Sequence, residues 1–156
     1  MYNRAMPTRK DFESQLKGAI RDGDDLHKRT LRLVLSEWKL AEVERGSELD
    51  ESAALALLQK QAKTRRETIA DAERAGRTDI VESTQAELDY LETFLPQPLS
   101  QSELERLARE SIQETGATDP AQMGLVMKDL MPRLEGRAEG KQASEVVRNL
   151  LSSDDG

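Results

Sequence analysis

Apolar residues recur along this chain at spacings of three and four, the period of a helix buried along one face, and no segment alternates apolar and polar positions over the length of a strand. Thr8 ahead of Arg9-Lys10-Asp11 supplies a capping side chain with an acid three residues on. It predicts a first helix to about Asp22 that buries Phe12, Leu16 and Ile20 and ends at Gly23. Asp24 or Asp25 then caps a second helix to about Arg45, followed by Gly46, and Asp50 caps a third that continues to Ala75 before Gly76. Thr78 caps a fourth helix, from Asp79 to Phe94 or Leu95, stopped by Pro96 and Pro98 because proline lacks the N–H and disfavours helix in the residue before it.

Beyond the two prolines the elements shorten. Ser100 and Glu103 form a capping box for a helix carrying Leu104, Leu107, Ala108 and Ile112 on one face and closed by Gly116. Asp119-Pro120 opens a helix with Met123, Val126, Met127 and Leu130 inward and Pro132 at its end. After Gly136–Gly140 a last helix carries Ala143, Val146, Val147 and Leu150. The expected fold is all-α: an N-terminal bundle of about four helices, residues 1–96, joined by a proline-containing connector to a small three-helix domain, residues 97–156.

Projection at about 100° per residue refines the long helices. Helix 2 has a broad apolar arc, with Leu26, Leu33 and Leu40 on one side and Leu31, Val34, Leu35 and Trp38 on the other, which marks it as central. What remains is a narrow strip holding Lys28, Arg29, Arg32 and Lys39. On helix 3, Arg65 falls within the apolar stripe of Leu58, Ala62, Ile69 and Ala72. A buried charge needs a partner, and the same projection offers Glu37 on helix 2 and Glu87 on helix 4, so a structural ion pair of Arg65 with one of these carboxylates is expected.

Composition narrows the chemistry. The chain has no Cys and a single His, His27, so disulfide scaffolds, thiolate metal sites, cysteine nucleophiles and multi-histidine zinc sites are excluded, and no metal or other cofactor is expected. Phosphate loops, dinucleotide-binding glycine motifs, zinc-protease and nucleophile-elbow signatures and amidase-like segments are absent, so no catalytic residue is assigned. His27, beside Lys28 and Arg29, reads as a surface residue. No run approaches the roughly 20 apolar residues of a membrane span and the first ten residues lack a secretory apolar core, so a cytoplasmic protein without membrane contact is expected. Charged residues make up 34% of the chain and its formal charge is −7, with acids outnumbering bases on both sides of the proline connector. Any nucleic-acid contact must therefore be local and salt-sensitive, and DNA is not an expected partner. The local basic candidates are Lys128, Arg133, Arg137 and Lys141 in the C-terminal part, where the glycine-flanked turn before the last helix offers backbone N–H groups to phosphate. A secondary basic surface is formed by Lys28, Arg32, Lys39, Lys63 and Arg66.

The motifs in order, Thr30-Leu31-Arg32-Leu33-Val34-Leu35, Lys63-Thr64-Arg65-Arg66-Glu67-Thr68, Ala75-Gly76-Arg77-Thr78-Asp79, Ala86-Glu87-Leu88, Phe94-Leu95-Pro96-Gln97-Pro98-Leu99-Ser100, Met123-Gly124-Leu125-Val126-Met127, Leu130-Met131-Pro132 and Gly136-Arg137-Ala138-Glu139-Gly140, span essentially the whole chain. In that order the chain resembles the GatB/YqeY family, and within it the small stand-alone YqeY-like proteins. The resemblance implies a helical N-terminal bundle and a three-helix domain similar to the tail of the B subunit of the glutamine-dependent aminoacyl-tRNA amidotransferase, the part that meets the outer, elbow side of tRNA. The cradle that carries ATP and amide-transfer chemistry in that enzyme has no counterpart here. The family commonly has a basic residue where Leu125 stands and an Asp where Glu139 stands.

Three functional expectations follow. The first is a tRNA- or RNA-associated accessory module without its own catalytic site, touching tRNA or a tRNA-bound complex through Lys128, Arg133, Arg137 and Lys141; reversing Arg133 and Arg137 would then abolish binding without loss of stability. The second is a helical adaptor whose N-terminal bundle docks a protein partner through exposed apolar positions such as Leu40 or Leu57. The third is a component of a glutamine-dependent carbon–nitrogen ligase, the label the family carries, for which the residues supply no motif.

Overall fold

Side-chain caps set the boundaries of most elements in the computed structural model, which describes residues 6–153. Helix α1, Arg9–Asp22, opens on a capping box in which Thr8 accepts from the Asp11 amide and Asp11 accepts from the Thr8 amide, and it ends at Gly23 in the left-handed conformation, φ 68°. Helix α2, Asp25–Arg45, is capped by Asp24, and α3, Glu51–Arg74, by Asp50. Helix α4, Thr78–Glu92, differs from expectation at both ends. Arg77 stands at its cap without a side-chain bond, Thr78 is already helical, and the last turn before Pro96 tightens into i to i+3 bonds at Phe94 and Leu95. Helix α5, Gln101–Thr115, has the Ser100–Glu103 capping box and closes at Gly116. Asp119-Pro120 opens a 3-10 turn, Pro120–Gln122, rather than the helix itself; α6 follows as Met123–Leu134 with Pro132 inside its last turn, and α7 is Gly140–Ser153. Among the described residues there is no strand.

The chain divides into two compact units, residues 1–95 and 96–156. In the first, α1 pairs with α2, α3 pairs with α4, and α2 packs on both α3 and α4. Phe12 is fully buried at its centre, with its ring 5.7 Å from that of Trp38 and 5.0 Å from that of Phe94. Edge-on aromatic packing of this kind adds about 1 kcal/mol to simple burial. In the second unit α5, α6 and α7 pack against one another around Leu104, Val126, Leu130, Leu134, Val147 and Leu151.

Several apolar positions lie elsewhere than their period alone suggests. Ile20 is 50% exposed, and Ala19 takes the buried place at the end of α1. On α2 the buried arc is limited to Thr30, Leu31, Val34, Leu35 and Trp38, while Leu33 and Leu40 stand 48% and 52% exposed. Leu57 packs against the core rather than facing solvent, and Leu151 is more deeply buried than Leu150.

Candidate functional site

The turn between α6 and α7 gathers the C-terminal basic candidates, and its shape follows from its backbone. Pro132 removes a helical donor, Glu135 and Gly136 both adopt positive φ, 50° and 72°, and the chain reverses before Gly140 begins α7. Arg137 anchors this turn. Its Nε donates to the Gln97 carbonyl at 2.7 Å, its own carbonyl accepts from the Leu99 amide at 2.9 Å, and its amide donates to Leu134 at 2.9 Å. The Glu103 carboxyl nearby is held below the usual range, first by the Ser100 amide, then by the Ser100 hydroxyl, with the charges of Arg137 and Arg106 adding to the effect. Arg137 is thus a positioning group for the segment after Pro96.

Arg133 is also engaged. Its Nε lies 3.0 Å from Asp129 and its Nη1 3.7 Å from Glu110, which in turn pairs with Arg106 at 2.9 Å. Two carboxylates compensate this guanidinium, and reversing Arg133 would set a like charge against both. Lys128 and Lys141 are different: both are exposed, and neither has an ion pair among the described residues. On α6, Leu125 is 57% and Met131 42% exposed, with Lys128 between them around the helix. A Cβ on Gly140 would stand 3.7 Å from Met131 Cε, which brings the start of α7, and Lys141 with it, to the same edge. The four predicted residues therefore separate into a free pair of lysines beside exposed apolar groups and a pair of internally bound arginines.

The secondary basic set divides in the same way into paired and unpaired side chains. Lys28 pairs with Asp25 at 3.2 Å, and Arg66 on α3 pairs with Glu92 on α4 at 3.2 Å. Arg32, Lys39 and Lys63 are exposed without an ion pair among the described residues. The expected ion pair of Arg65 forms with Glu87, Nε to Oε2 3.3 Å, with Arg65 only 6% exposed. Glu37 is exposed on α2 and is not the partner. Two groups in this network have no signature in the sequence: Arg29, whose Nε lies 3.0 Å from the other Glu87 oxygen, and Gln61, whose carbonyl and side-chain oxygens both accept from Arg65 Nη1. His27 is half-buried rather than a plain surface residue, stacked on Tyr90 with ring centroids 3.7 Å apart and its Nδ1 2.8 Å from Asp24. Burial, and then the Asp24 charge, push the Tyr90 phenol above its ordinary range.

A shallow cavity of about 280 Å³ opens between the start of α1 and the α2–α3 loop, where Arg9 reaches Glu42 at 2.7 Å over Trp38. No cluster of three or more histidine or acidic side chains among the described residues is placed to hold a metal ion, and no described helix is long and apolar enough to cross a membrane.

Comparison with known proteins places this architecture. Two curated relatives both carry the name altered inheritance of mitochondria protein 41, mitochondrial. The protein from Lachancea thermotolerans is 29% identical over 131 residues, covering 82% of this chain and 68% of its own length. That from Pyrenophora tritici-repentis is 29% identical over 147 residues, covering 91% of this chain and 80% of its own. The family description YqeY-like protein matches residues 9–151, from the first residue of α1 to within the last turn of α7. The chain belongs to the YqeY-like family.

Proposed function

We propose that this YqeY-like protein is an accessory binding module for tRNA or a tRNA-bound complex, related in its C-terminal unit to the amidotransferase tail. The observation that supports it is the exposed edge of α6 and α7: Lys128 and Lys141 keep uncompensated charge, and Leu125 and Met131 lie exposed beside them. Lysines suit phosphates, whereas exposed apolar groups suit the sugars and bases of a folded RNA whose shape rather than sequence is read. An overall charge of −7 restricts attraction to this edge and makes it salt-dependent.

Fluorescence anisotropy with total tRNA tests the reading at about 50 and 200 mM salt, against a DNA duplex. Micromolar binding that weakens with salt and prefers tRNA is expected. K128E/K141E should then weaken binding by at least about tenfold with an unchanged melting temperature, since neither lysine has a partner to lose. R133E/R137E should lower the melting temperature as well. No tRNA binding at low salt rejects the reading, and glutamine-dependent amide transfer by the purified protein would move the assignment to a ligase component. The adaptor reading draws on a separate observation, the exposed Leu33, Leu40 and Val43 on α2.

A further inference from the structure

The outer face of α2 carries an organised pattern that the packing of the N-terminal unit leaves unused. Leu33, Leu40 and Val43 are 48%, 52% and 78% exposed, and Leu26, Leu33 and Leu40 recur every seven residues, with Val43 three beyond Leu40. These are the a and d positions of a heptad seam. Its two edges differ in sign. Arg32 and Lys39 stand at g, and Glu37 and Glu44 at e. All four are exposed and none has an ion pair among the described residues. Arg32 is conspicuous here, because Arg9, Arg21, Arg29, Arg45, Arg65 and Arg77 in the same unit each reach a carboxylate.

We infer that this face of α2 binds a second copy of the chain, with the two α2 helices parallel about a two-fold axis along the seam. The charges select both occupant and direction. In a parallel pair a g residue meets the e residue five positions later on the other helix. Arg32 therefore faces the partner's Glu37, and Lys39 the partner's Glu44, twice over by symmetry. An antiparallel pair would set bases against bases and acids against acids. Leu33 packs on the partner's Leu33, and Leu40 and Val43 continue the seam, with Ser36 as a small polar step between them. The helix is already formed within its bundle, so association does not bear the nucleation cost that makes short isolated coiled coils marginal. The apolar seam runs about 15 Å, from Leu33 to Val43, which places the contact at the low end of interface sizes and makes weak, concentration-dependent association the expectation. The inference is independent of RNA binding, which draws on α6 and α7.

Sedimentation equilibrium of the full chain without RNA, from about 5 to 500 μM, tests it. The apparent mass should rise with concentration from 17.5 kDa toward twice that value. R32E/K39E makes both edges acidic and E37K/E44K makes both basic; each variant alone should stay monomeric where the parent is half dimeric, with parental helix content by circular dichroism. Mixed in equal amounts the two should associate again, because every cross-pair is then opposite in sign. A parent that is monomeric throughout, association that neither charge reversal weakens, or a mixture that stays monomeric would each overturn the inference.

Discussion

Glu87 serves two guanidinium groups at once, and their environments differ. Arg65 is buried and bonds one oxygen of the carboxylate, whereas Arg29 is largely exposed and bonds the other. Glu87→Gln keeps the shape and an acceptor oxygen but removes the negative charge that compensates buried Arg65, and is expected to cost about 3 kcal/mol in urea denaturation. R65M/E87Q removes the buried charge together with its partner and should return stability to within about 1 kcal/mol of the parent. Projection along the chain could place Arg65 in the apolar stripe, but it left Glu37 and Glu87 equivalent. Only the packing of α3 on α4 brings Glu87 within reach while Glu37 faces outward.

At the scale of elements, the caps were legible because each is a contact within three or four residues. Thr8 with Asp11, and Ser100 with Glu103, form in the structure as their spacing predicts. Both acids are held below their ordinary range, Asp11 by the Thr8 amide and then its hydroxyl, Glu103 by the Ser100 amide and then its hydroxyl. The folded chain therefore binds fewer protons at these sites than the unfolded chain. Their contribution is present above the ordinary carboxyl pKa of about 4 and is lost as pH falls through the depressed values. Thermal melts between about pH 5 and pH 2 should show a falling midpoint, and D11N/E103Q should have a lower midpoint at pH 5 and a shallower acid limb. Boundaries were less legible where no side chain caps the helix, as at Arg77, or where a proline permits a 3-10 turn, as at Pro120.

At the scale of the molecule, each unit has its own buried cluster, Phe12 and Trp38 among the residues of one and Leu130 and Val147 among those of the other. Residues 96–156 expressed alone should therefore be helical and melt cooperatively by circular dichroism, with a stability of only a few kcal/mol, as expected for about 60 residues. A non-cooperative melt would show that this cluster does not suffice to fold the segment. The candidate surfaces belong to this scale too. Lys128 and Arg133 look alike as sequence, yet Asp129 and Glu110 compensate one and leave the other free.

The sequence by itself determined the all-helical class, the helix order, most of the caps and the family, because periodicity, capping and motif order are local or linear properties of the chain. Only the tertiary structure decided which side of α2 is buried, which carboxylate meets Arg65, and which basic residues keep their charge for a partner. Leu33 and Leu35 have the same hydropathy, and Arg137 is bound by a backbone carbonyl forty residues away; contacts of that kind exist only after the helices have packed.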